Sequence, residues 1–175
     1  MAKYSSQFTS VTMAVTAAGS AISTTGVNGF MGVVNGAATQ LSKVSEIYMG
    51  GEAPSSSTVA SMSFGRATQL ATTATAGAAT TILTDAMATA PSSTPTGFTQ
   101  WVTTTGPIVT AASTVLHLSY NAYGGIVRWV SSPDQQITFY GTAAYTTQAT
   151  GGQMILTQVA GTAALMSGHI LYEVI

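Results

Sequence analysis

The sequence predicts an all-β protein, an antiparallel β-sandwich of jelly-roll-like form with an extended N-terminal segment. Three observations carry that expectation. Short stretches alternate apolar and polar residues with a period of two. Clusters of Gly, Asn, Pro and Ser separate them at intervals of roughly eight to twelve residues. The length of 175 residues suits one domain with two packed sheets of about four strands each.

In chain order, FTSVTMAVT (8–16) places Val11, Met13 and Val15 on one side and Ser10, Thr12, Ala14 and Thr16 on the other. Two VNG triplets, at 27–29 and 34–36, mark Asn-Gly turns around a short strand, FMGVV. Residues 1–42 are expected to form an N-terminal arm with the first strands, packed on the sandwich or on a partner, with 43–175 as the sandwich proper. KVSEIYMGG (43–51) reads as a strand closed by Gly50-Gly51, and GGEAPSSS as the turn beyond it. In STVASMSFGRATQ (57–69), Ala60, Met62, Phe64 and Arg66 share one face, and Val59, Ser61, Ser63 and Gly65 the other. The low-complexity segment 67–100 has alanine enough for a weak helix in LATTATAGAATTIL, but Thr and Gly lower that propensity. Pro91 and Pro95 then force a loop, so this segment is expected to be a long connection between sheets.

The clearest strands come last. TVLHLSY (114–120) turns Leu116, Leu118 and Tyr120 inward, with Val115, His117 and Ser119 opposite. GIVRWVS (125–131) puts Val127 and Trp129 on the core face and Ile126, Arg128 and Val130 on the other. A Ser-Pro-Asp turn precedes QITFYGTAAY (136–145); QMILTQVAG (153–161) follows Gly151-Gly152, and GHILYEVI (168–175) is the last strand.

Charge is what sets this chain apart. Charged residues make up 5% of it, against a usual share of about a quarter, and the formal net charge is −1. A free monomer normally carries mixed surface charge to resist association, so much of this surface is expected to be buried against copies of the chain or a partner. Lys3, Lys43, Arg66 and Arg128 are too scattered for a phosphate-binding patch, so no nucleic acid is expected. No stretch is long and apolar enough for a membrane helix or a clean signal peptide, so no membrane association is expected. Cysteine is absent, which removes disulfides and thiolate metal sites.

No catalytic constellation stands out, so no enzyme is expected. Glu46, Glu52, Asp85, Asp134 and Glu173 form no paired-carboxylate pattern, and neither GxSxG nor a phosphate-binding glycine loop occurs. Glu173 is four residues beyond His169, which on a strand separates them by roughly 13 Å, too far to share a metal ion. No metal and no cofactor is expected, and His117 reads as a surface strand residue. Arg128 is the residue that asks for a reason. Flanked on its face by Ile126 and Val130, it is expected to be partly desolvated and held by a carboxylate, with Glu46 and Glu173 as the candidates. Snorkelling to water from an edge strand and a bridge across a subunit boundary are its other possible uses.

VSEIYMGGEAPSSSTVASMSFGRAT, the Pro-rich connection after it and LHLSYNAYGGIVRWVSSPDQQI, together spanning about residues 43–140, resemble small structural proteins encoded among the virion genes of tailed bacteriophages. The likeness is one of texture, a Thr/Ala/Gly-rich and charge-poor chain of short strands. It implies a virion-associated sandwich without enzymatic activity. The role implied is a head decoration (cement) protein on the capsid surface, with itself and a major capsid protein as partners. Alternatives are a single-jelly-roll major capsid protein and a carbohydrate- or receptor-binding module of a phage fibre. For the last, Tyr120, Tyr123 and Tyr140 are the aromatic candidates, and their exposure on one face would favour it.

Overall fold

A computed structural model describes residues 1–16, 29–37, 39–52, 59–67, 74–75, 79–85, 94–101, 109–110, 112–140, 153–163 and 165–175. Val27 and Asn28 of the first VNG triplet, Pro91, the continuation of the 136–145 strand past Tyr140, and Gly151-Gly152 lie outside them. The described residues contain no helix. Their strands are Ala2–Thr12 (β1), Met31–Val34 (β2), Leu41–Glu52 (β3), Val59–Arg66 (β4), Ala74–Thr75 (β5), Ala79–Leu83 (β6) and Thr96–Phe98 (β7). After these come Gln100–Trp101 (β8), Thr114–Asn121 (β9), Tyr123–Val130 (β10), Ile137–Tyr140 (β11), Gln153–Ala160 (β12) and Leu165–Val174 (β13).

Two antiparallel sheets face each other as a β-sandwich. One has the order β10-β3-β13-β1-β6, with β11 also paired to β3; the other has the order β7-β2-β12-β4-β9; β5 and β8 form a separate two-stranded ribbon. The chain therefore passes from sheet to sheet between β1 and β2, β2 and β3, β3 and β4, β6 and β7, β9 and β10, β11 and β12, and β12 and β13, and by way of β5 between β4 and β6. β1 is paired on both sides, with β13 and β6, so the N-terminal stretch is woven into the sandwich rather than laid on it.

The inward residues of both sheets form one core. Tyr4, Phe8, Ile47, Met49, Ile170 and Tyr172 come from the first sheet, and Met31, Met62, Phe64, Met154 and Leu156 from the second. Burial of these side chains drives the fold, each contributing about 1.5–3 kcal/mol of transfer free energy. On both β1 and β3 the inward set changes parity along the strand. Tyr4, Ser6 and Phe8 are buried, and then Val11; Ser42 and Val44 are buried, and then Ile47 and Met49. A residue period of two cannot do this without an extra residue, and the ladders shift at 9–10 on β1 and at Ser45 on β3.

The low-complexity segment departs from expectation. It is neither helix nor bare connection in its described parts: β6 adds an edge strand beside β1, and β7 one beside β2. A chain of hydroxyls ties these two edges together. Tyr172 Oη is 3.0 Å from Ser6 Oγ, which is 2.9 Å from Thr81 Oγ1, and Gly97 N–H donates to Thr81 Oγ1 at 2.8 Å.

Two turn assignments are also corrected. Gly50-Gly51 does not close β3, which runs on to Glu52. Gly51 is instead where the β9–β10 corner closes on β3, because a Cβ there would lie 2.1 Å from the Ala122 carbonyl oxygen. Pro133-Asp134 does form a turn, with Gln135 N–H donating to Ser132 O at 3.0 Å, but the chain does not reverse. β10 and β11 both run antiparallel to β3 along one edge, and residues 131–136 are an excursion between them.

Candidate functional site

The outer face of the six-stranded sheet carries the charged and aromatic side chains that the sequence singled out. On β10, alternation and the register with β3 point Val127 and Trp129 inward opposite Met49 and Ile47, and Ile126, Arg128 and Val130 outward. Trp129 is partly buried against the core rather than enclosed by it, since β10 is an edge strand.

Arg128 is not desolvated. Its side chain is 60% exposed, and Ile126 and Val130 beside it are themselves exposed. They flank the guanidinium without covering it, because nothing described packs on this face. The carboxylate that meets it is Glu46, diagonally across the β10–β3 pair, with Arg128 Nη2 donating to Glu46 Oε2 at 2.7 Å. Glu173 is not the partner. It sits opposite Lys3 on β1 and Lys43 on β3, toward the far end of the sheet.

Glu46 holds a second group, His169, whose Nε2 lies 3.0 Å from Glu46 Oε1. Sequence reasoning tied His169 only to Glu173, four residues along its own strand. The pairing of β13 with β3, His169 opposite Tyr48 and Leu171 opposite Glu46, brings Glu46 diagonally beside it instead. The His169 ring in turn stacks on Tyr48, with centroids 5.3 Å apart and 12° between planes. The guanidinium beside Glu46 is the main cause that holds its carboxyl below the ordinary range; burial opposes this, and the His169 hydrogen bond adds to it.

Below this cluster the face opens into a groove of about 520 Å³ over Gly50, between Tyr48 and His169 at one end and Glu52 at the other. Glu52 accepts hydrogen bonds from two serines. Ser10 Oγ donates to Oε2 at 2.9 Å and Ser167 Oγ donates to Oε1. Ser10 stands at the β1 bulge with φ of 49°, and its N–H donates to Ser167 Oγ at 2.8 Å.

Arg66, which the sequence placed on one face of β4 with Ala60, Met62 and Phe64, bridges the sheets. Its Nε and Nη2 donate to the Thr138 carbonyl of β11 at 2.9 and 2.6 Å. The three tyrosines do not form one platform. Tyr120 is buried, while Tyr123 and Tyr140 are exposed opposite Glu52 and Leu41, the two ends of β3, roughly 35–40 Å apart. His117 lies on the exposed side of β9, with Nδ1 3.1 Å from Ser63 Oγ. Among the described residues no three His, Asp or Glu side chains come together as a metal site.

Comparison with known protein families, with curated proteins and with solved structures finds no match to this chain.

Proposed function

We propose that this chain is a non-enzymatic structural protein of a virion, a capsid decoration protein that works by packing against copies of itself and a major capsid protein. The observation that carries the reading is the β10–β11 edge. Among the described residues this edge of the six-stranded sheet has no strand beyond it, and Tyr123, Ile126, Val130 and Tyr140 along it are 55%, 64%, 54% and 59% exposed. A long apolar edge strand is a template for pairing with another chain. Natural monomers blunt such edges with charge, and here the one charge on β10 and β11 themselves, Arg128, is tied to Glu46. On a surface so poor in charge, many neutral contacts repeated by symmetry supply the binding strength.

Strand order favours a second reading within the same class. β1, β13, β3 and β10 in one sheet, facing β2, β12, β4 and β9 in the other, follow the nested order of an eight-stranded jelly roll, an architecture used by viral capsids. We read the fold as that jelly roll, with β6, β7 and β11 as additions, and a coat subunit is the alternative to decoration.

Sedimentation and electron microscopy of the purified chain test both readings. A stable monomer at micromolar concentration and moderate salt defeats them together. Closed shells from the chain alone favour the coat subunit. Small oligomers that bind only to preformed capsids favour decoration, and Ile126→Lys with Val130→Lys should abolish either assembly.

A further inference from the structure

We infer that the groove over Gly50 is a binding site for a neutral saccharide, held through adjacent hydroxyls by Glu52. This goes beyond the structural role proposed above and does not depend on it. The first observation is Gly50 itself. Glycine inside a strand weakens it and marks either a close backbone approach or a place where a ligand comes near. Its neighbours have the first reason: a Cβ at Gly51 would strike the Ala122 carbonyl, and one at Gly168 would lie 2.2 Å from the Tyr48 carbonyl oxygen. Gly50 has no such reason. A Cβ there meets nothing within 4 Å. No close approach among the described residues calls for glycine at this position, and what its missing side chain leaves is the floor of the groove.

The second observation is independent of the first. Ser10 adopts a left-handed backbone conformation that side-chain-bearing residues rarely take, at a bulge of the kind that re-aims side chains beside binding sites. Its hydroxyl is thereby delivered to Glu52 Oε2, while Ser167 serves Oε1. Each carboxylate oxygen keeps a lone pair, so the pre-oriented group can accept two hydrogen bonds side by side. Two adjacent hydroxyls of a sugar ring donate in that pattern. Gln7 adds an amide at the rim, and the Tyr48–His169 stack closes the end. The carboxylate disfavours anions, and among the described residues no second carboxylate lines the groove to hold a metal cation.

Saturation-transfer NMR with the methyl glycosides of glucose, galactose and mannose, and with N-acetyl-arginine amide as a cationic probe, tests the site on the protein in its native assembly. Transfer to at least one glycoside is expected, lost at least tenfold in Gly50→Leu, which projects a side chain from the groove floor, and in Glu52→Gln. Val59→Ser, on the other sheet, should bind as wild type. Sedimentation of Gly50→Leu should match wild type, so a loss of sugar binding is separable from a failure to assemble. The inference is overturned if no glycoside receives transfer from folded wild-type protein, or if Gly50→Leu binds unchanged. Transfer to the arginine probe alone also overturns it, and would assign the groove to a basic side chain of a partner.

Discussion

Arg128 and Glu46 make a 2.7 Å ion pair whose two sides differ in solvation: the arginine side chain is 60% exposed and the glutamate 13%. The cation reaches over the carboxylate from the edge strand, and the carboxylate, lying between β10 and β13, also meets His169. The pair is thus an open surface contact on its basic side. Salt should weaken it, and Arg128→Ala should shift the unfolding midpoint less than any core truncation.

Acid should act through Glu46. Its carboxyl is depressed in the folded protein, first by Arg128, so the folded state binds that proton more weakly than the unfolded chain does. The stabilisation it provides is present above the ordinary carboxylate range and is lost as pH falls through that range and below. Denaturant unfolding at pH 7 and pH 3 should show a larger acid loss for wild type than for Glu46→Gln. Equal losses would mean the pair contributes nothing.

Alkali should act through Tyr172 and Tyr120, whose phenols burial pushes well up. Above about pH 10 the unfolded chain ionises while the folded one stays protonated, so stability falls as pH rises. The expected slope from Tyr172 alone is about 1.4 kcal/mol per pH unit, and Tyr120 adds in the same direction. Tyr172→Phe should flatten the curve; an unchanged slope in that variant would contradict the assignment.

Adjacent glycines should respond in opposite ways. Gly51→Ala drives a Cβ against the Ala122 carbonyl and should cost about 2–3 kcal/mol. Gly50→Ala meets open space and should be neutral or stabilising by about 0.5 kcal/mol. Thermal unfolding of the two variants side by side decides the matter.

Trp129→Ala should fall between these extremes. A fully enclosed aromatic costs about 3–5 kcal/mol on truncation. Trp129 only rests on the core from an edge strand, so about 2 kcal/mol is expected, with Phe64→Ala as the enclosed comparison. A value for Trp129 equal to that for Phe64 would mean that the edge is covered.

Local alternation was enough to identify the strands and their faces wherever a strand keeps one parity. On β9 and β10 the inward residues are the ones the sequence names, because a period of two leaves no choice once one face is apolar. Scarcity of charge and the lack of a catalytic motif were likewise plain in the residues alone. Tertiary structure decided the rest. Bulges at 9–10 and at Ser45 change which face a residue occupies, and an extra residue in a ladder has no local signature when Ser and Thr fit either side. The bulge on β1 is why Ser10 reaches Glu52, and the registers of β3 with β13 and β10 are why Glu46 meets His169 as well as Arg128 while Glu173 meets neither. The β6 and β7 edges, drawn from a segment with no period of its own, are strands because partners pair with them. Spacing along one strand is set by covalent geometry, but neighbours across strands are set by register, which only the packed core can choose.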